Sequence, residues 1–394
     1  MLTNLGVLFS VSIIYSMYLW VFWALSLSYY NIKSKKMKVV IDCRMWGKNF
    51  GGIGRYVQEI VLELLRIEKW DFTLIVADEK IREEIEIASD NLSAHLSLII
   101  CNAKMFTVSE QVELPKVIPS CDIFWSPYMN VPFLPCKAKF RVVTLHDVFH
   151  LANPQYYCFM KRVMIKPFYY FSSHKSDLIL TVSNFSKSEI ARTCGANTAN
   201  KTVAVYNGCD IDVKQVHEPL VSFKYILFVG SVKPHKNLRN ALLGFSLMKN
   251  KAYKFVIVGK KEGFITGDKE VFGIVDNLNK ETERVIFTGN ISDEELYSWY
   301  KGATALVQPS FYEGFGLPVV EAMKFKLPIA CSDIPVFREI GKNLVSYFNP
   351  NSPDSVAECL DKVVLMPKKD YPHWISWKET ANQIAVEFEK LASK

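Results

Sequence analysis

Residues 309–323 read PSFYEGFGLPVVEAM, and they follow a short apolar run at Ala303–Val307. Gly314 and Gly316 give a backbone turn, Pro318 suits the first helical position, and the helix runs on through Glu321 and Met323. A strand that turns on glycine into a helix is one β-α unit, and the free N–H groups at the helix start attract an anion. Glu313 lies in the loop and Glu321 in the first turns of the helix, so both can face a ligand crossing that end. Carboxylates accept hydrogen bonds from sugar and ribose hydroxyls, which a purely anion-binding site would not require. Taken alone, the stretch also allows a plainer reading, with Glu321 favouring the helix dipole and Glu313 simply solvated.

Working outward, the same alternation of apolar runs and amphipathic stretches recurs in two series, the signature of β-α units around parallel sheets. The first has strand candidates at Lys38–Cys43, Phe72–Ala77, Leu96–Cys101, Phe140–Leu145, Leu178–Val182 and Val203–Tyr206. Its first helix shows one apolar face, from Ile53 and Tyr56 to Leu64 and Leu65. A mixed polar stretch, 207–222, reads as a linker. The second series has candidates at Tyr225–Val229, Lys254–Val258, Arg284–Thr288, Ala303–Val307 and Leu327–Cys331, with a capping box at Ser292 and Glu295. A last amphipathic helix presents Trp377, Ala381, Ile384, Phe388 and Leu391. The expected fold is α/β: two doubly wound domains facing a cleft, at 37–215 and 216–372, with a helix at 373–394 packing at their seam.

The 394 residues are 22% charged and 49% hydrophobic, which excludes a disordered chain or a small stapled scaffold. Nine scattered cysteines form no C-x-x-C pair and read as buried thiols in a reducing compartment. Of the net charge of +7, four units come from Lys33, Lys35, Lys36 and Lys38, so the body is close to neutral and gives nucleic-acid binding no support. Just before this cluster, Leu5–Tyr30 carries no charge. As a helix it would span about 39 Å, enough to cross a bilayer. The lysines after it place the following domains on the cytoplasmic side. Residues 1–36 are therefore expected to be an apolar anchor helix in the inner membrane; the alternative is that translation starts at Met37, leaving a cytoplasmic protein.

Three further segments carry chemistry. GGIGR, Gly51 to Arg55 with Gly51 and Gly52, lies in the loop leading from the first strand to the first helix and allows close backbone approach to a phosphate, though a plain tight turn fits equally well. GSVKPHKNL, residues 230–238, directs Lys236 toward the cleft, where a long cation can neutralise a diphosphate, with Lys233 and His235 nearby. TLHDVFH, residues 144–150, places His146 at a strand end beside Asp147. His146 and His150 have no third ligand at a metal spacing, so no metal is expected. Asp210-Ile211-Asp212 imitates a metal-binding D-x-D pair but falls in the linker and reads as a solvated turn.

From Met37 onward the chain resembles the retaining GT-B glycosyltransferases of family four, especially bacterial mannosyltransferase-like members. The matching pieces, in order, are GGIGRY, the HD pair at 146 and 147, TVSNFSKSEI, VYNG, VGSVKPHKNL, FTGNIS, PSFYEGFGLPVVEAM, SDIPVFREI and YFNPNSPDSV. The resemblance implies two Rossmann-like domains, the first on the acceptor side and the second binding a nucleotide sugar. It implies that Glu313 contacts the transferred sugar, with the backbone of Gly314, Phe315, Gly316 and Leu317, and that Glu321 holds the ribose. It implies that Lys236 stabilises the diphosphate, that His146 lies beside the donor sugar, and that Gly51, Gly52 and Ser231 line the phosphates. Asn290 and Ile291 would meet the base. Relatives carry arginine where this chain has Ser231 or His235, so one positive charge is missing there. The implied reaction moves a sugar, mannose from GDP-mannose by preference, to a lipid-linked or surface-polysaccharide hydroxyl, with retention and without metal or other cofactor. A non-catalytic nucleotide-sugar-binding scaffold and a sugar-nucleotide epimerase are the rival readings.

Overall fold

Two sheets organise the chain, and the order of strands within them creates the crevice. The computed structural model describes residues 36–47, 50–92, 95–259 and 269–394. The expected apolar anchor helix at 1–36 lies, but for its last residue, outside the described residues. Among the described residues no helix is long and apolar enough to cross a membrane.

The first sheet holds β1 (Met37–Asp42), β2 (Trp70–Val76), β3 (Leu96–Ile100), β4 (Cys121–Ser126), β5 (Ala138–Thr144), β6 (Leu178–Thr181) and β7 (Thr202–Ala204) in the order β3-β2-β1-β4-β5-β6-β7. The second holds β8 (Tyr225–Val229), β9 (Lys254–Val258), β10 (Val285–Gly289), β11 (Ala305–Gln308), β12 (Ile329–Ser332) and β13 (Ser346–Phe348) in the order β10-β9-β8-β11-β12-β13. All the strand pairings are parallel. Helices cover both faces, which is why the central strands are continuous apolar runs: Val39, Val40 and Ile41 of β1 are all buried. The sequence reading omits β4 and β13.

The strand order reverses between β1 and β4 and again between β8 and β11. At such a reversal the loops leaving neighbouring strands diverge to opposite faces, and a crevice opens at the carboxyl ends of the strands. The GGIGR segment, expected in a loop, forms the first turn of the helix after β1, the loop with Lys236 follows β8, and the loop with Glu313 follows β11. The topology therefore brings together segments that are 77 residues or more apart in sequence.

The last helix, Trp377–Ala392, starts at a capping box of Ser376 and Glu379 and buries the five apolar residues expected of it. It packs on the Gly51–Leu64 helix of the first sheet, and Phe388 lies 6.1 Å from the Trp70 ring and 5.6 Å from that of Trp125. Its entry runs beside the crossing segment: Cys209 donates to the Ile375 carbonyl at 3.0 Å and Trp374 Nε1 to the Asn207 carbonyl at 2.9 Å. A Cβ on Gly208 would lie 2.3 Å from the Trp377 nitrogen, so only glycine allows this approach. Asp210 is more than a solvated turn, because its Oδ2 accepts from the Trp377 nitrogen at 2.8 Å and anchors the start of that helix. The nine cysteines are free thiols, but the expectation that they are buried fails at Cys158, which is exposed.

Candidate functional site

The centre of the crevice is an ion pair. Lys236 Nζ donates to both oxygens of Glu313, at 2.5 and 2.7 Å. Asn237 explains the placement: it adopts left-handed backbone (φ 56°), which asparagine tolerates better than most residues. Its side-chain amide donates to the Pro309 carbonyl at 2.9 Å and the Pro350 carbonyl at 2.8 Å. That amide clamps the Lys236 loop onto the loop before Glu313. The Phe311 nitrogen donates to the His235 carbonyl at 2.8 Å and fixes the same register.

Burial by itself would push the Glu313 carboxyl up; the charge of Lys236 and the hydrogen bonds from Lys236 and Ser310 outweigh it and hold the group below the usual carboxylate range. Ser310 Oγ donates to Oε1 at 2.7 Å and Gln308 Nε2 at 3.3 Å. The result is a fixed carboxylate beside a fixed cation. Lys233 adds a second cation: partial burial and then the charge of Lys236 lower its pKa.

The backbone of His146 meets this centre from the first sheet. A Cβ on Gly314 would stand 2.3 Å from the His146 carbonyl oxygen, so the Glu313–Gly314 turn and the end of β5 touch backbone to backbone. Its Nε2 pairs with the Pro127 carbonyl at 2.9 Å, and Tyr56 packs edge-on at 4.6 Å. Burial lowers its pKa, so the ring is neutral at pH 7. Gly316, with φ 107°, caps the Leu317–Lys324 helix, and Phe337 leaves no room for a Cβ there. The Phe315 side chain is buried, its ring 5.8 Å from that of Trp374, so only its backbone faces a ligand. Gly51 and Gly52 begin the Gly51–Leu64 helix, and a Cβ on Gly52 would lie 3.8 Å from Leu317 across the crevice. Ser231 follows β8 and is half-buried. Exposed Asn290 and half-buried Ile291 follow β10, two strands from β8 and so about 10 Å away. They flank the ion pair at a distance and do not touch it.

Two adjoining family models match this chain: "Glycosyltransferase Family 4" over residues 50–213 and "Glycosyl transferases group 1" over 212–377. The chain belongs to glycosyltransferase family four. Among curated relatives, O-antigen chain mannosyltransferase B of Escherichia coli is 29% identical over 57% of this chain and 61% of its own length. O-antigen chain mannosyltransferase RfbU of Salmonella typhimurium is 31% identical over 58% of this chain and 62% of its own. The match thus spans about three fifths of each relative. Among solved structures, a sucrose-phosphate synthase of Thermosynechococcus elongatus superposes with TM-score 0.68 over 91% of this chain and all of that chain, at 17% identity, a likeness of fold.

In this family member the crevice is bridged by side-chain contacts that the sequence reading did not assign. Glu321, 4% exposed, accepts from Arg55 Nη1 at 2.5 Å and from Tyr300 at 2.7 Å. Arg55 also donates to Tyr297. The plain reading of Glu321 as a helix-dipole group is therefore insufficient, since its carboxylate ties the second sheet to the first helix. Ser183 and Ser186 both donate to the Gly314 carbonyl, at 2.7 and 3.0 Å. Glu339 accepts from the Asn184 and Phe185 nitrogens, at 2.7 and 2.8 Å, capping the Asn184–Cys194 helix from the opposite half. TVSNFSKSEI and SDIPVFREI, matched as separate pieces, are thus two sides of one contact. Neither segment by itself names its partner.

His235 gives a pH signature. Burial first, then the charge of Lys236, lower its pKa to about 4. The unfolded chain takes up this proton near pH 6.5, the folded chain only near 4. Between those values the unfolded state binds more protons, so this group's stabilising share is complete above pH 6.5 and is lost as the pH falls toward 4. The melting temperature of His235→Asn should fall less than that of the wild type between pH 7 and pH 5; parallel curves would show that the ring titrates alike in both states.

Proposed function

We propose that this protein transfers mannose from GDP-mannose to a hydroxyl of a lipid-linked or surface-polysaccharide acceptor, with retention at the anomeric carbon and without a metal ion. The observation that carries the reading is the Lys236–Glu313 pair set against His146 at the strand ends of both sheets. The names of the mannosyltransferase relatives support the sugar and the polysaccharide.

A donor laid along the crevice would put its sugar at Glu313, Gly314 and His146, its diphosphate at Lys236 with Gly51, Gly52 and Ser231, its ribose at Glu321 and its base at Asn290 and Ile291. The acceptor oxygen attacks the anomeric carbon on the face from which the diphosphate leaves. The bond from that carbon to the phosphate oxygen breaks, and the departing diphosphate takes the acceptor's proton. The negative charge it gains is met by Lys236 and by helix N-termini. Lys233 supplies the charge that relatives carry as arginine at Ser231 or His235. Neutral His146 offers a hydrogen bond to the sugar and no charge. The first domain then serves the acceptor and the second the donor, at the cytoplasmic face of the inner membrane.

The test is a thermal-shift series on the full chain with GDP, UDP, ADP and their sugar conjugates, with and without chelator. Selective stabilisation by GDP and GDP-mannose, indifferent to chelator, is expected. Stabilisation by UDP-sugars alone would reassign the donor. No shift with any nucleotide would favour a non-catalytic role. Conversion of the nucleotide sugar to its epimer without added acceptor and without nucleotide release would point to an epimerase.

A further inference from the structure

The Phe159–Lys175 helix leaves an apolar face exposed among the described residues. It buries Tyr169, Ser172 and Ser173 against the first sheet and leaves Phe159, Met160, Val163, Met164 and Tyr170 between 50% and 74% exposed. At about 100° per residue these five fall within an arc of about 140° on the outward side. Phe106 extends the patch, its ring 5.4 Å from Phe168 of this helix. Of fifteen exposed large apolar side chains among the described residues, six lie on this helix or against it. Such side chains scattered singly need no explanation, but a concentration on one face does.

The charge on this helix is one-sided. No acidic residue occurs between Asp147 and Asp177, while Lys161, Arg162, Lys166 and Lys175 add four cations. Exposed Lys161 and Lys166 fall on the two borders of the apolar arc. We propose that this face docks the protein on an anionic lipid bilayer, with the apolar side chains entering the acyl boundary and the lysines meeting headgroup phosphates. A second copy of the chain fits less well, because two such helices would bring their cations together. The chain's own Leu5–Tyr30 stretch is uncharged and would leave them unmatched. The inference holds whichever sugar is transferred, and it places the catalytic crevice near the surface that delivers a lipid-linked acceptor.

Cys158, exposed and one residue before the helix, provides the probe. The full chain is labelled there with an environment-sensitive maleimide dye, with labelled Cys158→Ser as background, and mixed with vesicles of phosphatidylcholine alone or with one third phosphatidylglycerol. A blue shift with quenching by doxyl lipids is expected on the anionic vesicles only, with about tenfold more lipid needed at high salt. A Met160→Asp, Met164→Asp variant, altered at exposed positions, should lose the response and keep its melting temperature. Because the dye reports this helix, an anchor elsewhere in the chain does not mimic the signal. Equal shifts on neutral vesicles, a response that survives the double substitution, or a blue shift that grows with protein concentration without lipid would each overturn the proposal. The last would assign the face to self-association.

Discussion

Lys236→Ala should lower sugar transfer by about a hundred- to a thousandfold, the usual consequence of removing one group that meets developing negative charge. Two effects combine. On the proposed reading the diphosphate loses its cation, and Glu313 loses the partner that donates to both its oxygens at 2.5 and 2.7 Å. With Lys236 gone, burial is the dominant influence left on the Glu313 carboxyl, and its pKa rises. The variant should therefore show an acid limb of its pH–rate profile displaced upward, which loss of phosphate charge alone would not produce. The Asn237 amide and the Phe311 N–H still hold the two loops together, so circular dichroism should stay unchanged. The check is kcat/KM against pH for wild type, Lys236→Ala and Glu313→Gln. Near-normal turnover in either variant would remove that residue from the mechanism.

Arg55→Ala is expected to act mainly through donor binding. Arg55 is the side chain of the first helix that reaches the nearly buried Glu321 carboxylate. Removing one partner of a buried pair costs about 3–5 kcal/mol when the remaining charge is stranded. Here Tyr300 still donates to Glu321 and Arg55 is 19% exposed, so about 1–3 kcal/mol is a fairer range. On the proposed reading Glu321 holds the ribose, so the KM for donor should rise more than kcat falls. The decisive measurement is a double-mutant cycle of Arg55→Ala and Glu321→Ala on nucleotide affinity, where a coupling of about 1 kcal/mol or more is expected. Additive effects would show that the bridge does not prepare the ribose site.

Strands β8 and β9 are legible residue for residue, because Tyr225–Val229 and Lys254–Val258 are mostly β-branched or aromatic runs bounded by turns. The capping box at Ser292 and Glu295 is equally plain, since both halves of it lie within one turn of helix. Strand β4, CDIFWS, escaped because a short apolar run with an acid inside it has no period to count. The Phe159–Lys175 helix is not legible either: it turns apolar side chains outward and buries Ser172 and Ser173, the inverse of the pattern by which a surface helix is recognised.

At the site, the inventory is legible in the chain itself: glycines where backbones approach, a lysine after β8, two carboxylates around the helix after β11, a histidine after β5. These are local signals, written in turn chemistry and short spacing. Which side chains hold one another is settled by the fold. Lys236 meets Glu313 across 77 residues and Arg55 meets Glu321 across 266, because reversals of strand order bring their loops to one crevice. An ion pair depends on distance through space, and a lone sequence carries distance only along the chain.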